Sequence, residues 1–151
     1  MSNYRPISLL SIFSKLFETI VAARLSNFLQ KYNLLYDFQF GFRSGYSTKL
    51  ALINSIDDIL THLDKRLFSA GIFIDFSKAF DSLDHSILLK KLENFGIRGH
   101  LFNWFSSYLS NRCQYTYVND TASVTYEIKY GVPLGSVLGP LLFLLYINDN
   151  W

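Results

Sequence analysis

The sequence predicts an α+β fold, and three observations carry that expectation. Long segments place apolar residues at helical spacing. One short stretch, Ala70 to Phe76 (AGIFIDF), is apolar and β-branched and starts at a glycine, as a buried strand does. Two further segments, Gln114 to Val118 and Ser123 to Tyr130, flank Asn119 and Asp120, a pair suited to a hairpin turn. Helices before, between and after strands are the pattern of an α+β domain.

The elements follow in order. Asn3 to Ser8 is extended, because Pro6 biases its neighbour away from helix. Ser11 to Tyr32 is a helix. Ile12, Phe13, Leu16, Phe17, Ile20, Val21, Leu25, Phe28 and Leu29 form its stripe, and Lys15, Glu18 and Arg24 lie off it. Asn33 to Tyr46 is a loop containing Gly41 and Gly45. Thr48 to Lys65 is a second helix, capped by Ser47 or Thr48, with Leu52, Ile56, Ile59, Leu60 and Leu63 on one face. The strand Ala70 to Phe76 comes next, then helices at Asp84 to Phe95 and His100 to Ser110. After the hairpin, Ser136 to Ile147 is apolar nearly all round and reads as a buried helix behind a Gly/Pro turn.

Composition narrows the classes. Half of the 151 residues are apolar and 17% are charged, which suits one packed domain and argues against disorder. The single cysteine, Cys113, makes neither an internal disulfide nor a cysteine-based zinc site, and a reducing, intracellular compartment is expected. His62, His85 and His100 are scattered and form no metal-ligand pair. Met1 to Ser8 lack the apolar core of a secretory leader. Leu141 to Ile147, the most apolar run, is far shorter than the ~20 residues of a membrane span, so no membrane partner is expected. The net charge of +2 is uneven. Six bases against two acids leave the first fifty residues at +4, so the remainder carries −2. Such a division suits one lobe that meets phosphates and another that holds metal, and it is also within chance fluctuation.

The chemistry concentrates around Asp75. A carboxylate inside an apolar strand is costly unless something pairs with it. Asp81 and Asp84 follow within nine residues, and carboxylates close together hold Mg²⁺ through oxygen. The structural alternative gives Asp75 an ion pair with Lys78 and makes Asp81 or Asp84 a helix N-cap.

Four blocks settle which family this pattern resembles. Phe73 to His85 (FIDFSKAFDSLDH) resembles motif A of the reverse transcriptases of non-LTR, LINE-type retrotransposons nearly residue for residue. Asn3 to Leu9 (NYRPISL) resembles their N-terminal fingers motif, and Gln39 to Arg43 (QFGFR) with Ser47 and Thr48 resembles the next. Gly131 to Phe143 (GVPLGSVLGPLLF) resembles motif B, with Tyr146 to Asp149 (YIND) as its tail. The blocks occur in the family's order and span the chain.

The resemblance implies a partial right-hand polymerase fold, with residues 1–66 fingers-like and 67–151 an incomplete palm. It implies RNA-templated addition of dNTPs to a DNA primer 3′-OH with two Mg²⁺ ions, in the cytoplasm and nucleus for the parent element. Asp75 becomes the catalytic, metal-bridging aspartate, with the main-chain carbonyl of Phe76 as a further ligand. Phe80 falls at the steric gate, where a ring excludes a ribose 2′-OH, and otherwise is an ordinary core aromatic. Arg5 meets the incoming triphosphate with its forked donors, or else is a surface arginine. Arg43 supports the fingers or contacts the template backbone, against a structural salt bridge. Gly135 and Ser136 pass close to the nascent base pair, a place for a residue without a Cβ; a plain turn would also explain Gly135.

The sequence departs from the family twice. Leu134 stands in the dNTP pocket where glutamine is usual, and leucine cannot hydrogen-bond. No motif C, with its two adjacent aspartates, occurs up to Trp151, and upstream fingers, thumb, endonuclease and RNase H sequences are likewise expected to be missing. The expectation is a polymerase fragment, inactive alone, whose strand at Ala70 to Phe76 lacks neighbours and is aggregation-prone. The competing expectation is a non-catalytic nucleic-acid-binding remnant that holds RNA or an RNA–DNA duplex by its phosphates.

Overall fold

The computed structural model describes residues 7–148. The readings placed on Arg5, on the extended stretch before Ile7 and on Asp149 lie outside these residues. Five helices are present among them: α1 (Ile12–Lys31), α2 (Thr48–Asp64), α3 (His85–Asn94), α4 (Gly99–Leu109) and α5 (Gly139–Ile147). Between α4 and α5 lie β1 (Cys113–Gln114), β2 (Tyr117–Val118), β3 (Thr121–Ala122) and β4 (Tyr126–Glu127). The fold is thus mixed, with much helix and little sheet.

Local chemistry explains the helix starts. The Ser11 hydroxyl accepts from Ser14 N at 3.1 Å, and the Ser47 hydroxyl accepts from Leu50 N at 3.3 Å. Asp84 caps α3 by accepting from the main-chain N–H groups of Ser86 and Ile87 and from the Ser86 hydroxyl. Each satisfies a donor that the first helical turn leaves unpaired. Pro140 sits in the first turn of α5, where its missing N–H costs nothing.

The four short strands are two ladders of one hairpin. Tyr117 pairs with Ala122 and Val118 with Thr121, closed by Asn119 and Asp120 at φ 47° and 58°. Both angles are positive, which the tight primed turns require. Farther out, Cys113 pairs with Glu127 and Gln114 with Tyr126. The return strand carries one extra residue between the ladders, a bulge that raises the local twist.

The core lies where α3, α4 and α5 meet, joined by the C-terminal half of α1. Phe105, Leu88, Leu92, Leu142, Leu144 and Leu145 are fully buried in it. Leu25 and Leu29 bring α1 into the same cluster. Asn148, just past α5, is 7% exposed. It accepts from Tyr36 N at 2.8 Å and donates to Leu34 O at 2.9 Å, which ties the loop after α1 to the end of α5.

Three expectations are corrected. Ala70 to Phe76 forms no strand, and Phe73 is 98% exposed. A strand needs a neighbour for its N–H and C=O groups, and no described segment supplies one. The N-terminal stripe of α1 faces outward, from Ile12 at 83% exposed to Ile20 at 46%, whereas Glu18, placed off the stripe, is buried. The expected apolar face of α2 is exposed along its length, and among the described residues no helix or strand packs extensively on it. Among the described residues no helix is long and apolar enough to cross a membrane.

Candidate functional site

Three segments that carry family-like motifs meet at the turn before α5. Ser8 N donates to Leu134 O at 2.9 Å. Gly131 N donates to Leu83 O at 2.8 Å, and Val132 N donates to Phe80 O at 2.9 Å. His85 Nε2 lies 2.7 Å from Gly131 O; a carbonyl only accepts, so Nε2 carries the proton. The end of the motif A segment and the start of the motif B segment are therefore held together at main-chain level. Ser8 adds the N-terminal segment to the same turn.

Gly131 makes this approach possible. Its φ is +84°, and a Cβ there would lie 2.8 Å from Asp81 Cα and from Phe80 O. No other residue fits without moving backbone. The close approach expected of Gly135 is to a nascent base pair, a different neighbour. Gly135 is exposed with φ +99°, and the protein atoms nearest a would-be Cβ are Ser8 O at 3.6 Å and Ile7 Cγ2 at 3.8 Å. Ser136 is buried, donating to Pro133 O at 2.8 Å and accepting from Gly139 N at 3.0 Å, so its hydroxyl is spent on the turn. Leu134 is half-buried beside these residues.

Phe80 sits between Phe42 and Phe143, at ring-centroid distances of 5.9 Å and 5.1 Å, and is half-buried. Its ring thereby joins the QFGFR loop to α5. Arg43 holds the same loop: Nη1 donates to Tyr36 O at 3.1 Å, and its guanidinium lies 4.1 Å from the Tyr46 ring centroid. The partners are a carbonyl and a ring, in place of the carboxylate that a salt bridge would supply.

Asp75 and Phe76 are not brought to this meeting point as a metal site. Both are exposed on the unpaired segment, and the ion pair with Lys78 is not made among the described residues. Mg²⁺ is held by carboxylates converging on one point, and among the described residues no three His, Cys, Asp or Glu side chains gather. Asp84 is occupied as a cap; the Ser86 hydroxyl, and then the Ile87 N–H, hold its carboxyl below the usual carboxylate range. The described residues do not fit a Mg²⁺ site by themselves.

The sequence reading missed Glu18. Its carboxylate is 1% exposed and accepts from the Tyr108 hydroxyl at 3.0 Å, from Val137 N at 2.7 Å and from Leu138 N at 3.4 Å. The signal was present, since Glu18, Leu25 and Leu29 share one helical face at spacings of seven and four. Burial, and next the charge of Glu18, push the Tyr108 phenol up from 10.0 to about 12. The folded state thus holds this proton more tightly than the unfolded chain. The stability linked to it is fully present below the unfolded value, ~10, and is lost as pH rises through about 12. Ultraviolet titration is expected to show a late-ionising tyrosine that Tyr108→Phe removes.

The whole-chain comparison bears on these segments together. The family model for reverse transcriptase (RNA-dependent DNA polymerase) matches residues 1–150. This chain belongs to the reverse transcriptase family. Within that family it is similar to non-LTR retrotransposon proteins. It is 37% identical over 147 residues to a protein named "Probable RNA-directed DNA polymerase from transposon BS" of Drosophila melanogaster, covering 97% of this chain and 16% of that protein. It is 32% identical over 149 residues to the RNA-directed DNA polymerase from mobile element jockey of the same fly, covering 99% and 16%. A Pol polyprotein from the type-1 element R1 of Bradysia coprophila is 32% identical over 149 residues, covering 97% and 14%. This reverse transcriptase segment therefore spans about a sixth of the length of such relatives.

Proposed function

We propose that this chain is the fingers and part of the palm of an RNA-directed DNA polymerase, one that adds dNTPs to a DNA primer paired with an RNA template. Residues 1–66 are the fingers-like part and 67–151 the palm part of a right-hand arrangement. The observation that carries the reading is the knot of main-chain bonds among Ser8, Phe80, Leu83, Gly131, Val132 and Leu134. It gathers parts of the N-terminal, motif A and motif B segments at one turn, where a nucleotide would meet Leu134, Gly135 and Phe80; the triphosphate role proposed for Arg5 rests on the family resemblance alone.

In this reading Asp75 and the Phe76 carbonyl contribute ligands to Mg²⁺ only in a larger polymerase, the other ligands coming from outside the described residues. The outward faces of α1, of α2 and of residues 67–76 are then surfaces for other parts of that polymerase, since exposed apolar area on this scale marks interaction sites. The 151 residues alone are inactive.

The test replaces the matching segment of the jockey polymerase with this chain and follows RNA-templated dNTP incorporation. Incorporation by the chimera, and none by the 151 residues alone, is the expected result. A second reading, non-catalytic binding of an RNA–DNA duplex, is favoured by the lack of a gathered carboxylate site among the described residues. An inactive chimera, together with steeply salt-dependent duplex binding by the chain, would select it.

A further inference from the structure

Glu18 lies on α1, far in sequence from the groups it binds; it reaches the motif B segment at Val137 and Leu138, two residues to which the family resemblance gives no role of their own. Burying a carboxylate is expensive unless its oxygens are well supplied with donors. Here one oxygen takes the Tyr108 hydroxyl and the other takes the main-chain N–H groups of Val137 and Leu138. Those N–H groups stand at the entrance of α5, whose first turn leaves donors unpaired and whose dipole favours a negative charge. The N-terminus of α5 has no cap from its own N-cap residue, Leu138, and the Ser136 hydroxyl takes the Gly139 N–H. Glu18, from another helix, takes the two N–H groups that come just before it.

Tyr108 is itself fixed. Its ring stacks on Trp104 at 5.2 Å and 15°, and the guanidinium of Arg112, just past the end of α4, lies 4.9 Å from its centroid. The hydroxyl is therefore aimed at Glu18 by a ring with little freedom to turn. The result is a carboxylate bridge from α1, through α4, to the turn that presents Leu134 and Gly135. Ser8 N holds that turn at Leu134 O, and Glu18 holds it two residues beyond Gly135.

We infer that Glu18 is a positioning residue: its carboxyl group sets the Leu134–Leu138 turn in place from the opposite helix, with Tyr108 setting the carboxyl group. That this turn faces a nucleotide rests on the proposed function; that Glu18 places the turn does not. An amide can reproduce the geometry, because one oxygen accepts from both main-chain N–H groups while Nε2 donates to the phenol oxygen. A methyl group cannot.

The experiment is hydrogen exchange on the 151-residue chain, resolved at Val137 and Leu138, with Leu88 and Leu92 of α3 as internal reference. Glu18→Ala is expected to speed exchange at Val137 and Leu138 by about ten-fold relative to α3, the scale of a hydrogen bond to a charged group. Glu18→Gln is expected to keep exchange within about three-fold of the parent while the Tyr108 ionisation moves back toward its ordinary value. Should the alanine variant fail to fold, Glu18→Asp, too short to reach both helices, carries the same expectation. The inference is overturned if alanine and parent exchange alike, if α3 speeds up by the same factor, or if glutamine behaves as alanine does. None of these readouts needs polymerase activity, so an inactive chimera leaves the result for Glu18 standing.

Discussion

Asp75→Ala, made in a jockey polymerase that carries this chain in place of its own matching segment, is expected to lower RNA-templated dNTP incorporation by about 10³-fold. If Asp75 holds Mg²⁺ in the larger polymerase, as proposed, the figure would correspond to losing several kcal/mol of charge stabilisation, at ~1.4 kcal/mol per decade. Packing explains why the loss would be specific. Asp75 is exposed and caps no helix, so its truncation has no cavity or orphaned donor to create. In the isolated 151-residue chain the same substitution is expected to leave the thermal midpoint nearly unchanged, within ~0.5 kcal/mol. The two measurements together separate a chemical role from a folding role. Equal incorporation by the parent and alanine chimeras would remove Asp75 from the site.

The exposure of Asp75 also shows where sequence reasoning stops. All five helices and the hairpin were legible because their determinants are local. Ser11 and Ser47 cap, Asn119 and Asp120 accept positive φ, and α5 is apolar on every side. The strand at Ala70 to Phe76 has equally good local credentials and still does not form. Its pairing partner is a property of another segment, and composition says nothing about whether that segment is at hand. The outward stripe of α1 fails for the same reason: periodicity reports that a face is apolar, and only a neighbour decides that it is buried.

The site was legible at the level of segments and less so at the level of side chains. Motif order brought Ser8, Phe80 and Leu134 into one argument, and they do meet through main-chain bonds. What could not be read was which glycine permits the meeting. Gly131 and Gly135 both have positive φ, and only the backbone of Phe80 and Asp81, within 3 Å of a would-be Cβ, singles out Gly131. For Glu18 the shared face with Leu25 and Leu29 was legible, but not what offsets its burial: beside the Tyr108 hydroxyl, its donors are main-chain N–H groups of Val137 and Leu138, which leave no trace in composition.

Phe80 is where the family expectation and the packing make separable predictions. As a steric gate, its ring excludes a 2′-OH, and Phe80→Ala in an active chimera is expected to raise rNTP use relative to dNTP by about 10- to 200-fold, the range over which shape alone discriminates. As a packed aromatic, the same ring joins Phe42 to Phe143. Its loss is expected to cost about 2 kcal/mol of stability, below the ~3–5 kcal/mol of a fully buried phenylalanine because Phe80 is only half-buried. Phe143→Ala distinguishes the two. It empties the other side of the cluster and lowers stability, but leaves the Phe80 ring in place, so sugar selectivity should hold. If both variants relax selectivity equally, the ring acts through the cluster; if neither does, Phe80 is a core residue that happens to stand five positions after Asp75. The cluster and the gate are compatible, because a ring held from two sides is one that a 2′-OH cannot push aside.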